Sequence, residues 1–132
     1  MLEDAKKKIE DKFIETEVAK IKDGDLDLVM KNKEAIDKKI QGGGLKKYSE
    51  LGKIMFGMLK DYRKGIYHNV PWFTVAAIVF ALLYVFNPLD MVPDFIPGVG
   101  YVDDFALLTV MLRFLQTDLH SYLDWKLDQV KG

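Results

Sequence analysis

From Gly65 to Leu89 the chain runs for 25 residues without an Asp, Glu, Lys or Arg, although charged residues make up 30% of the sequence. Within that run Pro71 suits the first turn of a helix, Asn69 is a nearby cap candidate, and Asn87-Pro88 is a stop. The spacing predicts a helix over 71–86 that is apolar on every face: Trp72, Phe73, Val75, Ile78, Val79, Phe80, Leu82, Leu83 and Val85. Such a helix has no side to turn to water. It must be covered by lipid or by other helices, and the rest of the sequence must be read with that demand in mind.

The charges are segregated accordingly. Residues 1–64 hold 16 Lys/Arg and 13 Asp/Glu, whereas residues 65–132 hold 3 and 7. A net charge of -1 over 132 residues excludes a generally basic nucleic-acid binder and suits one modest core. No cysteine is present, so there is no disulfide framework, thiol nucleophile or Cys-ligated zinc. Met1–Glu10 is charged and shows no apolar signal-peptide core.

Helical periodicity accounts for both flanks. Leu2, Ala5, Ile9, Phe13, Ile14, Val18 and Ile21 form one stripe, ending near Asp23-Gly24. Asp25 is the expected N-cap of a second helix striped by Leu26, Val29, Ile36 and Ile40, which Gly42-Gly43-Gly44 ends. A third stripe is Leu45, Tyr48, Leu51, Met55, Met58, Leu59 and Tyr62, among Lys46, Lys47, Lys53, Lys60, Arg63 and Lys64. After the apolar helix comes a Pro/Gly/Asp loop, then a fifth helix opening at Asp103 or Asp104 with Phe105, Leu108, Leu112, Leu115, Leu119 and Tyr122 on its apolar side. The expected fold is all-α, with about five helices and an apolar hairpin closed by the Asp/Pro/Gly loop.

Several of these segments resemble the YkvA-like bacterial family. They are Tyr62-Arg-Lys-Gly-Ile-Tyr67, Val70-Pro-Trp72, Ala81-Leu-Leu-Tyr84, Asn87-Pro-Leu-Asp90, Val92-Pro-Asp-Phe-Ile-Pro97, Gly100-Tyr-Val-Asp-Asp104, Asp118-Leu119 and Trp125-Lys126. The resemblance covers roughly residues 60–127 and implies a membrane-associated domain of unknown function. A related segment also resembles part of an endoplasmic-reticulum RING-type ubiquitin ligase, but a chain without cysteine cannot hold RING zinc. Residues 1–44 lie outside it. They read as an amphipathic helical pair appended to a core at 45–132, whose removal is expected to leave the core folded.

Two ways of covering the apolar helix stand side by side. Sixteen residues rise ~24 Å against a hydrocarbon core of ~30 Å, so the helix is short for a span. On a return path Arg113 falls ~14 Å beyond Asp104, near mid-bilayer, where a cation costs about 2.5–3.5 kcal/mol or more. A clean two-pass hairpin is therefore disfavoured. In the first reading the fourth helix enters the membrane and the basic 46–64 helix lies on the anionic leaflet, with Tyr67, Trp72 and Tyr84 suited to interfaces. In the second it is the centre of a soluble cytoplasmic bundle, with Thr74, Ala77 and Ala81 as a small-residue packing face. The resemblance favours the membrane reading, at a bacterial inner membrane with the N-terminus cytoplasmic.

Candidate chemistry is sparse. Asp90, Asp94, Asp103 and Asp104 are oxygen ligands of a kind that suits Mg²⁺ or Ca²⁺, but they fit no EF-hand spacing. Asx-turns beside Pro93 and Pro97, and a cap at Asp103, account for them more simply. His68 and His120 stand alone; Gly42-Gly-Gly44 lacks a phosphate loop's Gly-Lys-Ser/Thr ending, and Gly98-Val-Gly100 lacks a third glycine. No catalytic residue or cofactor is assigned. The expected function is a membrane-associated interaction or scaffold module, with membrane lipid as the expected partner, a protein as a further candidate and no nucleic acid. The alternatives are a divalent-cation-dependent enzyme or sensor using the Asp90–Asp104 loop, and a soluble helical adaptor.

Overall fold

A computed structural model describes residues 2–86 and 106–131. Among these residues every regular element is helical. The order is α1 (Leu2–Val18), α2 (Asp23–Lys31), α3 (Lys33–Gln41), a 3₁₀ segment (Gly43–Tyr48), α4 (Ser49–Arg63), α5 (Trp72–Phe86) and α6 (Ala106–Lys131). The expected five helices are six among the described residues, because the second predicted helix is divided. Asn32 divides it: its amide bonds the carbonyls of Leu28 and Val29, and its Nδ2 donates to Leu28 O at 2.8 Å. A short amide side chain competing for backbone acceptors is what ends a helix early.

Asp25 also acts differently from the expected N-cap. It stands inside the first turn of α2 and reaches back, its Oδ2 accepting from the Lys22 amide at 2.9 Å. The first helix ends at Val18, ahead of the expected stop near Asp23-Gly24, which lies inside α2. The expected stop at Asn87-Pro88 and the start at Asp103 or Asp104 lie outside the described residues. Two other boundaries fall as expected. Gly42 ends α3, and α5 starts one residue after Pro71, whose carbonyl accepts from the amides of Thr74 and Val75.

Helix α5 is the centre of the molecule. It packs against all five other α-helices, and every residue from Thr74 to Val85 is buried. The side facing α1 to α3 is met by Ile14, Val18, Leu26, Val29, Ile36 and Ile40. The side facing α4 and α6 is met by Met55, Met58, Leu59, Met111, Leu115 and Leu119, all in one continuous core. Phe13 sets its ring edge against Phe80, with centroids 6.5 Å apart. At the C-terminal end of α5 a cation from α3 completes the enclosure: Lys39 Nζ donates to the Phe86 carbonyl and lies 5.5 Å from the Phe86 ring. Residues expected to be an appendage thus contribute side chains to the same core as residues 55–85 and 111–122.

Helix α5 has 15 residues, and no described helix is long and apolar enough to cross a membrane. From Thr74 to Val85 its apolar surface is covered by protein. Full burial of each large aliphatic or aromatic side chain contributes about 1.5–3 kcal/mol, so this one element supplies a large share of the folding drive.

Candidate functional site

The polar organisation of the molecule begins where α4 stops. Gly65 takes a left-handed backbone (φ +77). Its amide bonds Tyr62 O at 3.0 Å, while the Ile66 amide bonds Asp61 O at 3.0 Å. These are the two hydrogen bonds of a Schellman ending, which needs a residue free to adopt positive φ. The Tyr67 amide adds a second donor to Asp61 O at 3.1 Å, which folds the chain back against the helix it has just left.

The side chain of the same aspartate reaches into the protein. Asp61 is 6% exposed, and its Oδ2 accepts from Tyr122 Oη at 2.7 Å and from Lys126 Nζ at 3.0 Å. One residue therefore ties α4, the α4–α5 turn and α6. Around it Tyr67 sets its ring 5.1 Å from Tyr122 and 4.8 Å from Trp125. Tyr122 and Trp125 stack at 5.9 Å. One turn before Asp61, a Cβ at Gly57 would stand 3.1 Å from Tyr122 Oη, so the bare backbone there leaves room for the phenol. One helical repeat towards the start of α6, Asp118 accepts a hydrogen bond from Thr74 Oγ1 at the beginning of α5. Asp118, Tyr122 and Lys126 are four residues apart, hence one above the other on a single face of α6.

The protonation states follow from these contacts. Burial alone would raise the Asp61 carboxyl. The hydrogen bonds from Tyr122 and Lys126, with the charges of Lys126 and Lys64, outweigh it and hold the group below the ordinary carboxylate value. Tyr122 is pushed well above an ordinary phenol by burial, then by its bond to the Asp61 carboxylate. Burial raises Tyr67 as well, with the charge of Asp118 adding to it. At neutral pH Asp61 is a carboxylate and both phenols keep their protons. A general base needs a pKa near the working pH and a lone pair for substrate, and Asp61 is moved away from the first. No buried side-chain polar atom among the described residues lacks a partner. The arrangement is a clasp that fixes the geometry of one end of the bundle.

Beside it a cleft of about 630 Å³ opens, with Lys33, Lys53, Lys60 and Lys126 around Asp37 and Glu50 on its walls. Its charges are mixed and exposed. The four aspartates singled out as cation ligands or caps (Asp90, Asp94, Asp103 and Asp104) lie outside the described residues. Among the described residues no group of three His, Asp or Glu side chains could hold a metal ion. His68 and His120 are exposed and far apart in sequence.

Asp61 and Tyr122 were not among the sequence-derived candidates. Asp61 stood as one acid in a basic run, and Tyr122 as one member of an apolar stripe. The signal that could have found them is the four-residue repeat of Asp118, Tyr122 and Lys126. On an amphipathic helix it sets polar hydrogen-bonding groups in the row facing the core. The residues carrying the family resemblance do meet here: Tyr67, Asp118, Trp125 and Lys126 in the clasp, and Trp72 with its ring 6.4 Å from Tyr62.

Comparison with known proteins identifies relatives of this chain. Residues 74–110 match the family described as "Protein of unknown function (DUF1232)". The uncharacterized membrane protein YkvA of Bacillus subtilis (strain 168) is 38% identical over 72 residues, covering 54% of this chain and 68% of that protein. No solved structure matches. The identity to YkvA over two thirds of its length, together with the DUF1232 match, makes this chain a member of the YkvA-like DUF1232 family.

Proposed function

We propose that the chain is a membrane-associated helical module that meets the bilayer as a folded bundle, with α5 retained inside it. The observation that carries this reading is the burial of α5 on all sides from Thr74 to Val85. To enter lipid, α5 would have to leave the partners supplied by five helices, only to exchange one apolar environment for another, and the displaced apolar stripes would meet water. Membrane association itself is supported by the relative YkvA, named a membrane protein. The module's task on this reading is attachment and scaffolding. The N-terminal helices and the basic end of α4 then lie on the cytoplasmic side of a bacterial inner membrane, where the leaflet is anionic.

Fractionation of the untagged protein tests this. It is expected to sediment with membranes at low salt and to be released by high salt or alkaline carbonate. Resistance to carbonate would place α5 in lipid and overturn the folded-bundle mode. Full recovery in the low-salt supernatant would overturn membrane association itself.

A further inference from the structure

The same Schellman turn that turns Tyr67 inward leaves Ile66 outward. In such a motif the residue two past the cap usually packs on the helix it has left, near the position that Asp61 holds here. Asp61 is instead committed to α6, and Ile66 remains 53% exposed. Six residues on, the first two residues of α5 repeat the pattern, with Trp72 37% and Phe73 43% exposed. Single exposed apolar residues are ordinary. Here three large ones fall within eight residues, in and beside a turn that the Asp61 clasp holds rigid. They stand in the most exposed part of the charge-free run among the described residues; residues 74–85 are buried and Phe86 is partly so.

The charge around this turn is mainly positive once its ion pairs are removed. Asp61 is paired with Lys126 and Asp27 with Arg63 at 3.0 Å; Asp118 accepts a hydrogen bond from Thr74 and keeps its negative charge. Asp124 and Asp128 sit about 200° around α6 from Lys126, on its far side. The cations left over are Lys60 and Lys64, one turn apart at the end of α4, both exposed and closing no ion pair among the described residues, with Lys60 also on the wall of the mixed-charge cleft. Exposed apolar side chains that include a tryptophan, just after two unpaired lysines at the end of α4, suit the layering of an anionic bilayer: phosphates outside, acyl chains a few ångströms further in.

We infer that the α4–α5 turn is the lipid-docking tip of the module, with Ile66, Trp72 and Phe73 seated at the acyl boundary and Lys60 and Lys64 on headgroup phosphates of an anionic leaflet. This rests on the membrane-associated reading above and names the surface that performs it. The clasp then has a purpose: it presents the tip already ordered, so that docking costs little conformational entropy.

The test is co-sedimentation of the full chain with vesicles of phosphatidylcholine containing about a third phosphatidylglycerol, and with phosphatidylcholine alone, beside native membranes. Wild type is expected to bind the anionic vesicles and to be released by salt. A Lys60→Glu, Lys64→Glu variant should bind them at least about 30-fold more weakly, since each juxtamembrane lysine contributes about fivefold. An Ile66→Ser, Phe73→Ser variant should lose about tenfold. Phe114→Ser, at an exposed apolar site three turns back along α6, should bind as wild type does. Unchanged helical signal and melting in each variant confirms that binding alone was altered. Equal binding by the turn variants and wild type would overturn the docking tip and leave the membrane reading standing. So would a loss as large in Phe114→Ser. Retention on native membranes without binding to either vesicle would assign the attachment to a membrane protein and overturn lipid docking. Binding to neither vesicles nor native membranes would sink the membrane reading and this inference with it.

Discussion

The charge-free run from Gly65 to Leu89 behaves as two different materials over its described length. Residues 74–85 are enclosed on every side by five helices, while residues 66, 72 and 73 hold large apolar side chains at the surface. The difference lies in what surrounds each part. Helix α5 has partners whose stripes were built to cover it. The turn has a polar clasp beneath it and free lysines beside it. Hydrophobicity in a sequence therefore states that a segment must be covered, and only the neighbours decide by what.

The most drastic way to break this contrast is to remove the cover. Deleting residues 1–44 takes away Ile14, Val18, Leu26, Val29, Ile36 and Ile40 from the core. The truncated chain should keep helical circular dichroism but lose a sharp melting transition and self-associate. A monodisperse, cooperatively melting fragment would show the first three helices to be an independent appendage.

Point substitutions sharpen the same contrast at smaller scale. Phe80→Ala in α5 should cost about 3–5 kcal/mol and Ile36→Ala in α3 about 2–5 kcal/mol in denaturant unfolding, because both side chains are fully buried. Losses of similar size from both segments are the mark of one shared core. A loss below about 1 kcal/mol at Ile36 would separate them.

The clasp should respond less strongly. Asp61→Ala strands the buried Tyr122 hydroxyl and should cost about 1–3 kcal/mol, whereas Lys126→Met should cost under about 1 kcal/mol because that lysine is half exposed. A pH profile checks the assignment independently. Asp61 has a depressed folded pKa, so its contribution is present above the ordinary value of about 3.9 and fades as pH falls through the folded value. Tyr122 and Tyr67 are raised, so theirs is present below about pH 10 and is lost as pH climbs towards the folded values. Tyr122→Phe should flatten the alkaline limb, and an unchanged limb would deny the Asp61–Tyr122 bond. The smallest effect is expected at Gly57→Ala. The better helix propensity of alanine, about 1 kcal/mol, is there opposed by a contact with Tyr122 Oη, leaving melting nearly unchanged.

Much of this architecture was legible in the sequence. An apolar helix bounded by Pro71 and Pro88, and amphipathic stripes on both sides of it, follow from spacing alone. What covers α5 did not. Lipid and a ring of helical stripes both satisfy an all-apolar helix, and a one-dimensional pattern holds no measure of whether the stripes reach. The break at Asn32 was missed because Val29 and Ile36 are seven residues apart, close to two full turns, and so remain in phase whether or not the helix continues. The clasp was hidden for a different reason. Asp61 and Tyr122 are separated by 61 positions, and neither is unusual in its own helix until the fold sets α4 against α6.

Amide hydrogen exchange followed with and without anionic vesicles measures both parts of the run at once. In detergent-free buffer, peptides within residues 74–85 should exchange slowest in the protein and stay unchanged when vesicles are added. Peptides across residues 64–73 should gain protection with vesicles. Rapid exchange of α5 in buffer, with protection appearing only on the membrane, would contradict the account by showing that lipid covers that helix.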